Sequence, residues 1–232
     1  MSTKYKNAPV IEAVFEIRFP AELSIESRRD EYYEEIRAYY PNISVPVIDS
    51  PEPYPLKAYR FETDNKTKLI QFSINKFSFH SKKYETFKEF SSEALKYKES
   101  FCKHYKISSL KRTGLRYINY IPIERQDGIV LLAKYLKFGY ILPNAIPNNF
   151  ELFHTVLLTR IEAGKLRILI TSQEALGAGR KEVIVLDFDF FFEGDILVDH
   201  LQDYLQRSHL HTKKIFESLI SDEYRGTLKE VN

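Results

Sequence analysis

Residues 182–192 read EVIVLDFDFFF, and this stretch limits the fold more than any other. β-Branched and aromatic residues favour extended chain. The run is too apolar for the edge of a sheet, so other strands must flank it. Residues 10–19 supply one. Ala13, Phe15, Ile17 and Phe19 alternate there with Glu12, Glu16 and Arg18, the period of a half-buried strand, and Pro20 ends it. Residues 57–63 and 67–80 predict a hairpin turning at Asp64-Asn65-Lys66. Its second arm runs Ile70, Phe72, Ile74 and then shifts to Phe77 and Phe79, which predicts a bulge near Asn75-Lys76. Residues 110–121 read as a further strand with a bulge at Gly114, and 150–162 with 165–172 as a hairpin about Ala163-Gly164.

Helices fall between these strands. Residues 84–106 place Phe87, Phe90, Ala94, Tyr97, Phe101 and Tyr105 at steps of three and four, a stripe that packs on a sheet. Residues 24–40 carry Ile25, Tyr32, Ile36 and Tyr39 near helical spacing before Pro41. A short helix is expected over 128–138, ending at Gly139, and a long one over 195–222. The long helix aligns Leu197, Leu201, Leu205, Ile215, Phe216 and Leu219, with a polar gap from Ser208 to Thr212. Five prolines between 41 and 55 read as an extended connector.

This order repeats: strand, helix, strands, helix, then strand, helix, strands, helix. The opening strands are alike, FEIRFPAE at 15–22 and YINYIPIE at 117–124. The expected fold is α+β. It has a mixed, mostly antiparallel sheet with helices on one face, built from pseudo-duplicated halves, 1–109 and 110–232, in one continuous unit.

Composition narrows the function. The chain has 232 residues and a net charge of +2, but residues 64–116 hold thirteen basic and five acidic side chains, a net of +8 against −6 elsewhere. Residues 183–206 contain no Lys or Arg. Such opposite patches pair inside the fold, match across an oligomer, or meet separate partners. Lys76, Lys82, Lys83, Lys106, Lys111 and Arg112 offer a surface for nucleic acid. The first of only eight glycines is Gly114, so no glycine-rich phosphate loop precedes it. The single Cys102 forms no internal disulfide and reads as a buried thiol. The N-terminal stretch lacks an apolar signal core and no run of apolar residues spans a bilayer, so a cytoplasmic protein without membrane contact is expected.

Chemistry is sparse. Asp187 and Asp189 alternate on one strand and therefore share a face, where two carboxylates can hold a divalent cation. The competing reading pairs them with Arg112 and Arg116 on another strand, because a buried carboxylate needs a partner. Arg116 is predicted to contact Asp187 or Asp189. His209 and His211, two apart, point to different sides of a helix. Gly177-Ala178-Gly179-Arg180 reads as a hairpin loop.

Four stretches in this order, APVIEAVFEIRF (8–19), RTGLRYINYI (112–121), VLDFDFF (185–191) and His211 followed by IFESLISDEY (215–224), resemble a sporadically distributed family of bacterial conserved hypothetical proteins. The matching positions are Pro9, Glu12, Arg112, Gly114, Arg116, Asn119, Asp187, Asp189, His211 and Phe216. The resemblance implies a bacterial host and a defence or toxin–antitoxin setting; it brings no activity and no catalytic residues. The leading expectation is a non-catalytic binding or interaction protein acting with a protein partner or itself, without a cofactor. Its binding residues would be Lys82, Lys83, Lys106, Lys111, Arg112, Arg116 and Asn119. The alternatives are a metal-dependent phosphodiesterase or nuclease using Asp187 and Asp189, and a nucleic-acid-binding protein using segment 64–116.

Overall fold

The structure, a computed structural model, describes residues 4–5, 7–45, 58–140, 143, 145–146, 152–174 and 181–231. Most of the proline-rich connector and the loop at 177–180 lie outside the described residues. Nine strands form one sheet: β1 (Val10–Arg18), β2 (Asn42–Ser44), β3 (Tyr59–Glu62), β4 (Lys68–Ser73), β5 (Lys76–Ser81), β6 (Ser109–Pro122), β7 (His154–Ile161), β8 (Gly164–Glu174) and β9 (Glu182–Leu197). Their spatial order is β7-β8-β9-β6-β1-β5-β4-β3-β2. Every neighbouring pair is antiparallel. The apolar run of β9 lies in the interior, between β8 and β6.

β1 and β6 meet in the middle. Outward from β1 come β5, β4 and β3; outward from β6 come β9, β8 and β7. The two halves thus repeat one strand order about a common seam, and the sheet crosses the boundary at residue 109 without a break. Phe15 pairs with Phe79, and Tyr117 with Phe188. Overlaying FEIRFPAE on YINYIPIE therefore carries Phe79 onto Phe188, Ser78 onto Asp187 and His80 onto Asp189.

Three helices cover one face: α1 (Arg29–Ile36), α2 (Phe87–His104) and α3 (Leu201–Leu219). Thr86 caps α2 by accepting from the Glu89 amide at 3.2 Å, and Glu89 follows three residues later as in a capping box. Phe90, Ala94, Tyr97 and Phe101 of α2 are buried against Phe15, Phe72, Phe77 and Phe79 of the sheet. The opposite face of the sheet carries the charged residues of each alternating strand.

Several local expectations change. The phase shift at residues 74–76 is not a bulge: Ile74-Asn75 is a two-residue turn that reverses the chain between β4 and β5. Gly114 stays in register with Phe191 and Glu16, and the irregularities fall at Val10/Glu12 and Glu193/Ile196 instead. A Cβ on Gly114 would stand 3.0 Å from Arg112 Nη1 and 3.3 Å from Asp189 Oδ1, so the bare backbone leaves room for that ion pair. Residues 125–130 form a tight hairpin whose Asp127 and Gly128 have φ of 50° and 79°, and only Leu132–Tyr135 is helical. Asp-Gly prefers this turn strongly enough to override the apolar content that follows. β9 runs on to Leu197, so the last long helix begins only at Leu201. Ser221 then caps a separate helix, α4 (Asp222–Leu228), by accepting from the Tyr224 amide at 3.0 Å. Because α1 ends at Ile36, Tyr40 is buried while Tyr39 is exposed.

Candidate functional site

Over the β1–β6 seam the helix layer leaves a cleft of about 880 Å³. Tyr117 and Asn119, alternate residues of β6, share its floor with Phe188 of β9. The start of α2 supplies one wall through Phe87, and α3 supplies the other through His209, Thr212 and Phe216. The polar gap in α3 belongs here. Ser208 and Thr212 are 2% and 3% exposed, so the gap lies on the buried side of the helix. Ser208 Oγ donates to the Tyr204 carbonyl at 2.8 Å, whereas Thr212 Oγ1 has no hydrogen-bond partner among the described residues.

A chain of polar groups crosses the cleft. The Tyr117 hydroxyl lies 3.3 Å from that of Tyr84 and 3.0 Å from His209 Nδ1. The Phe87 ring stacks on His209 at 4.2 Å, with 6° between planes. Burial, helped by the charge of Lys213, brings the His209 pKa down to about 4, so the ring is neutral at neutral pH. Burial also pushes the Tyr84 hydroxyl up to about 12 and Tyr117 well above the usual tyrosine value. Asn119 is buried and donates to the Leu186 carbonyl at 3.0 Å.

The other face of the sheet carries an ionic ladder. Arg116 donates through Nε and Nη2 to the two oxygens of Asp187, both at 2.7 Å, and Asp187 is 2% exposed. Arg167 approaches the same carboxylate at 3.7 Å. Arg112 lies between Asp189 (2.7 Å) and Glu16 (2.8 Å). Burial raises the Asp189 pKa against the pull of Arg112 and Arg116. Glu12 meets His80 at 2.8 Å, and that hydrogen bond holds the Glu12 carboxyl below its ordinary value.

The candidates from the sequence separate accordingly. Asn119 alone of the expected binding residues lines the cleft. Arg112 and Arg116 serve the ladder on the far face. Lys83 meets Glu85 at 3.4 Å and Lys111 meets Asp195 at 2.5 Å. Lys82 is an exposed residue just beyond β5, and Lys106 follows the C-terminus of α2. Lys76, also in the proposed nucleic-acid surface, leans on Glu16 at 3.9 Å. Carboxylates from outside residues 64–116 thus engage Lys76, Lys111, Arg112 and Arg116. Asp187 and Asp189 do share a face, but guanidinium groups engage both, and among the described residues no cluster of three His, Cys, Asp or Glu is placed to hold a metal ion. His211 stacks on Phe190 and meets Glu162 at 3.2 Å, away from His209. Tyr117 carried no functional signal in the sequence, Thr212 only its place in the polar gap, and Tyr84 only its nearness to the basic residues of the proposed nucleic-acid surface. No protein-family model matches the chain, and no curated protein matches it.

Proposed function

We propose that this protein is a non-catalytic binding module whose ligand seat is the cleft over the β1–β6 seam. The observation that carries this reading is the cleft itself. About 880 Å³ of space lined by rings and aliphatic chains, with a few fixed polar groups, matches the size and make-up of small-molecule sites. The reading moves the expected partner from a protein to a small molecule.

The state of the polar groups supports binding over catalysis. A general acid or base works best with a pKa near the operating pH. His209 sits well below that range and both tyrosines well above it. Cys102, the chain's single thiol, is a buried residue of α2 whose burial pushes it up to about 11, which keeps it protonated. The phosphodiesterase alternative is weaker, because a cation at Asp187 would have to displace the two-pronged contact of Arg116.

A fragment screen by protein-observed NMR tests the reading. Hits should move the Thr212 methyl and the Tyr117 and His209 ring signals. Hits that collect on the ionic face instead, leaving those signals still, would overturn it.

A further inference from the structure

We infer that the cleft takes an amphipathic anion, an apolar body bearing one oxyanion such as a carboxylate, sulfonate or phosphate. This rests on the cleft being the ligand seat, and two independent observations lead to it. The first is one-sided charge at the rim. Glu85 is engaged by Lys83 at 3.4 Å, and Glu217 by Arg225 and by the Tyr5 hydroxyl at 2.7 Å. Lys88 and Lys214 also line the cleft and are exposed, and neither has a carboxylate of the described residues within ion-pair distance.

The second observation is Thr212. It is 3% exposed, it lines the wall beside Lys213 and Lys214, and its hydroxyl has no hydrogen-bond partner among the described residues. A buried hydroxyl without a hydrogen bond is disfavoured, and its oxygen is closed to solvent as it stands, so turning the Thr212 side chain toward a ligand acceptor oxygen in the cleft removes a defect. An oxyanion is such an acceptor, and its charge suits the neighbouring ammonium groups. The Tyr117, Phe188 and Phe216 side chains then take the apolar body.

Two fluorescent probes with nearly the same apolar body separate the claims: anilinonaphthalene sulfonate, an anion, and phenylnaphthylamine, which is neutral. With the full chain, the sulfonate should saturate one site and bind about tenfold more tightly than the neutral probe, as expected for a few partly screened charge contacts. The double variant Lys88→Gln/Lys214→Gln alters two exposed side chains. It should lose about tenfold for the anion and nothing for the neutral probe. Thr212→Val, of similar shape, should weaken the anion about threefold. If the double variant and Thr212→Val bind both probes as the parent does, the anion preference is overturned while the seat stands. Leu210→Trp fills the cleft from a side chain that is 55% exposed. If that variant binds both probes unchanged, or the parent binds neither, the seat fails as well. A single cooperative melting transition, at the parent's temperature or above it for Thr212→Val, establishes that each variant is folded.

Discussion

The two halves share a strand order and use it differently. In the first, the helix-covered face is a cluster of rings: Phe72 lies 5.1 to 6.5 Å, centroid to centroid, from Phe61, Phe101, Tyr32 and Tyr105. In the second, Phe188, Phe190 and Phe192 mix with Leu166, Ile168, Ile170 and Leu186. The outward faces differ more. Ser78 and His80 on β5 occupy the positions held by Asp187 and Asp189 on β9. His80 bonds Ser78 at 3.1 Å and takes the single carboxylate Glu12 from β1 at 2.8 Å, whereas the two aspartates engage the guanidinium groups of Arg116 and Arg112 from β6. Topology decides which positions are covered. The identity of an outward residue is free to change, provided each buried charge meets a partner.

Phe72→Ala should cost the most, about 3–5 kcal/mol in urea unfolding, because it removes the centre of the ring cluster. A loss below about 1.5 kcal/mol would show that the rings of the first half repack around the gap.

Acid should next expose His209, which belongs to the second half. Its pKa is about 4 in the fold and 6.5 as a free side chain. Above pH 6.5 both states are neutral and the group has no effect. As the pH falls from 6.5 to 4, the unfolded chain takes the proton first, so stability declines. The decline is about 2 kcal/mol, from ~1.4 kcal/mol per pKa unit reduced for partial exposure. Denaturation midpoints measured across this window should flatten in His209→Gln; an unchanged slope would refute the assignment.

Asp187→Ala should then cost about 2 kcal/mol. This is less than the loss of a fully buried pair, because Arg116 and Arg167 can turn toward water. Ser78→Ala, the equivalent change in the first half, should cost under about 1 kcal/mol. Equal losses would remove the distinction drawn between the two outward faces.

Much of the fold was legible for a local reason. Alternation at 10–19 and 182–192 and the stripe at 84–106 report burial directly, since side-chain direction repeats along a strand or helix. The opposition of Arg116 and Asp187 was legible as well, because strands this apolar cannot leave a carboxylate alone. The turn at Ile74-Asn75 was not, since isoleucine carries no turn signal and the phase change mimics a bulge. The cleft left one trace, the polar residues Ser208 and Thr212 interrupting the apolar stripe of α3.

Periodicities within a dozen residues set the long strands β1, β6 and β9, the main helices, the covered face of each and the repeated order of elements. Only the tertiary structure decided that β1 and β6 pair at the centre and that Tyr84, Tyr117 and His209 meet beneath α2 and α3. Those contacts join residues 33 and 92 positions apart. Partner choice across such separations depends on which assembly of the whole chain buries its surfaces and pairs its polar groups, and no local pattern encodes it.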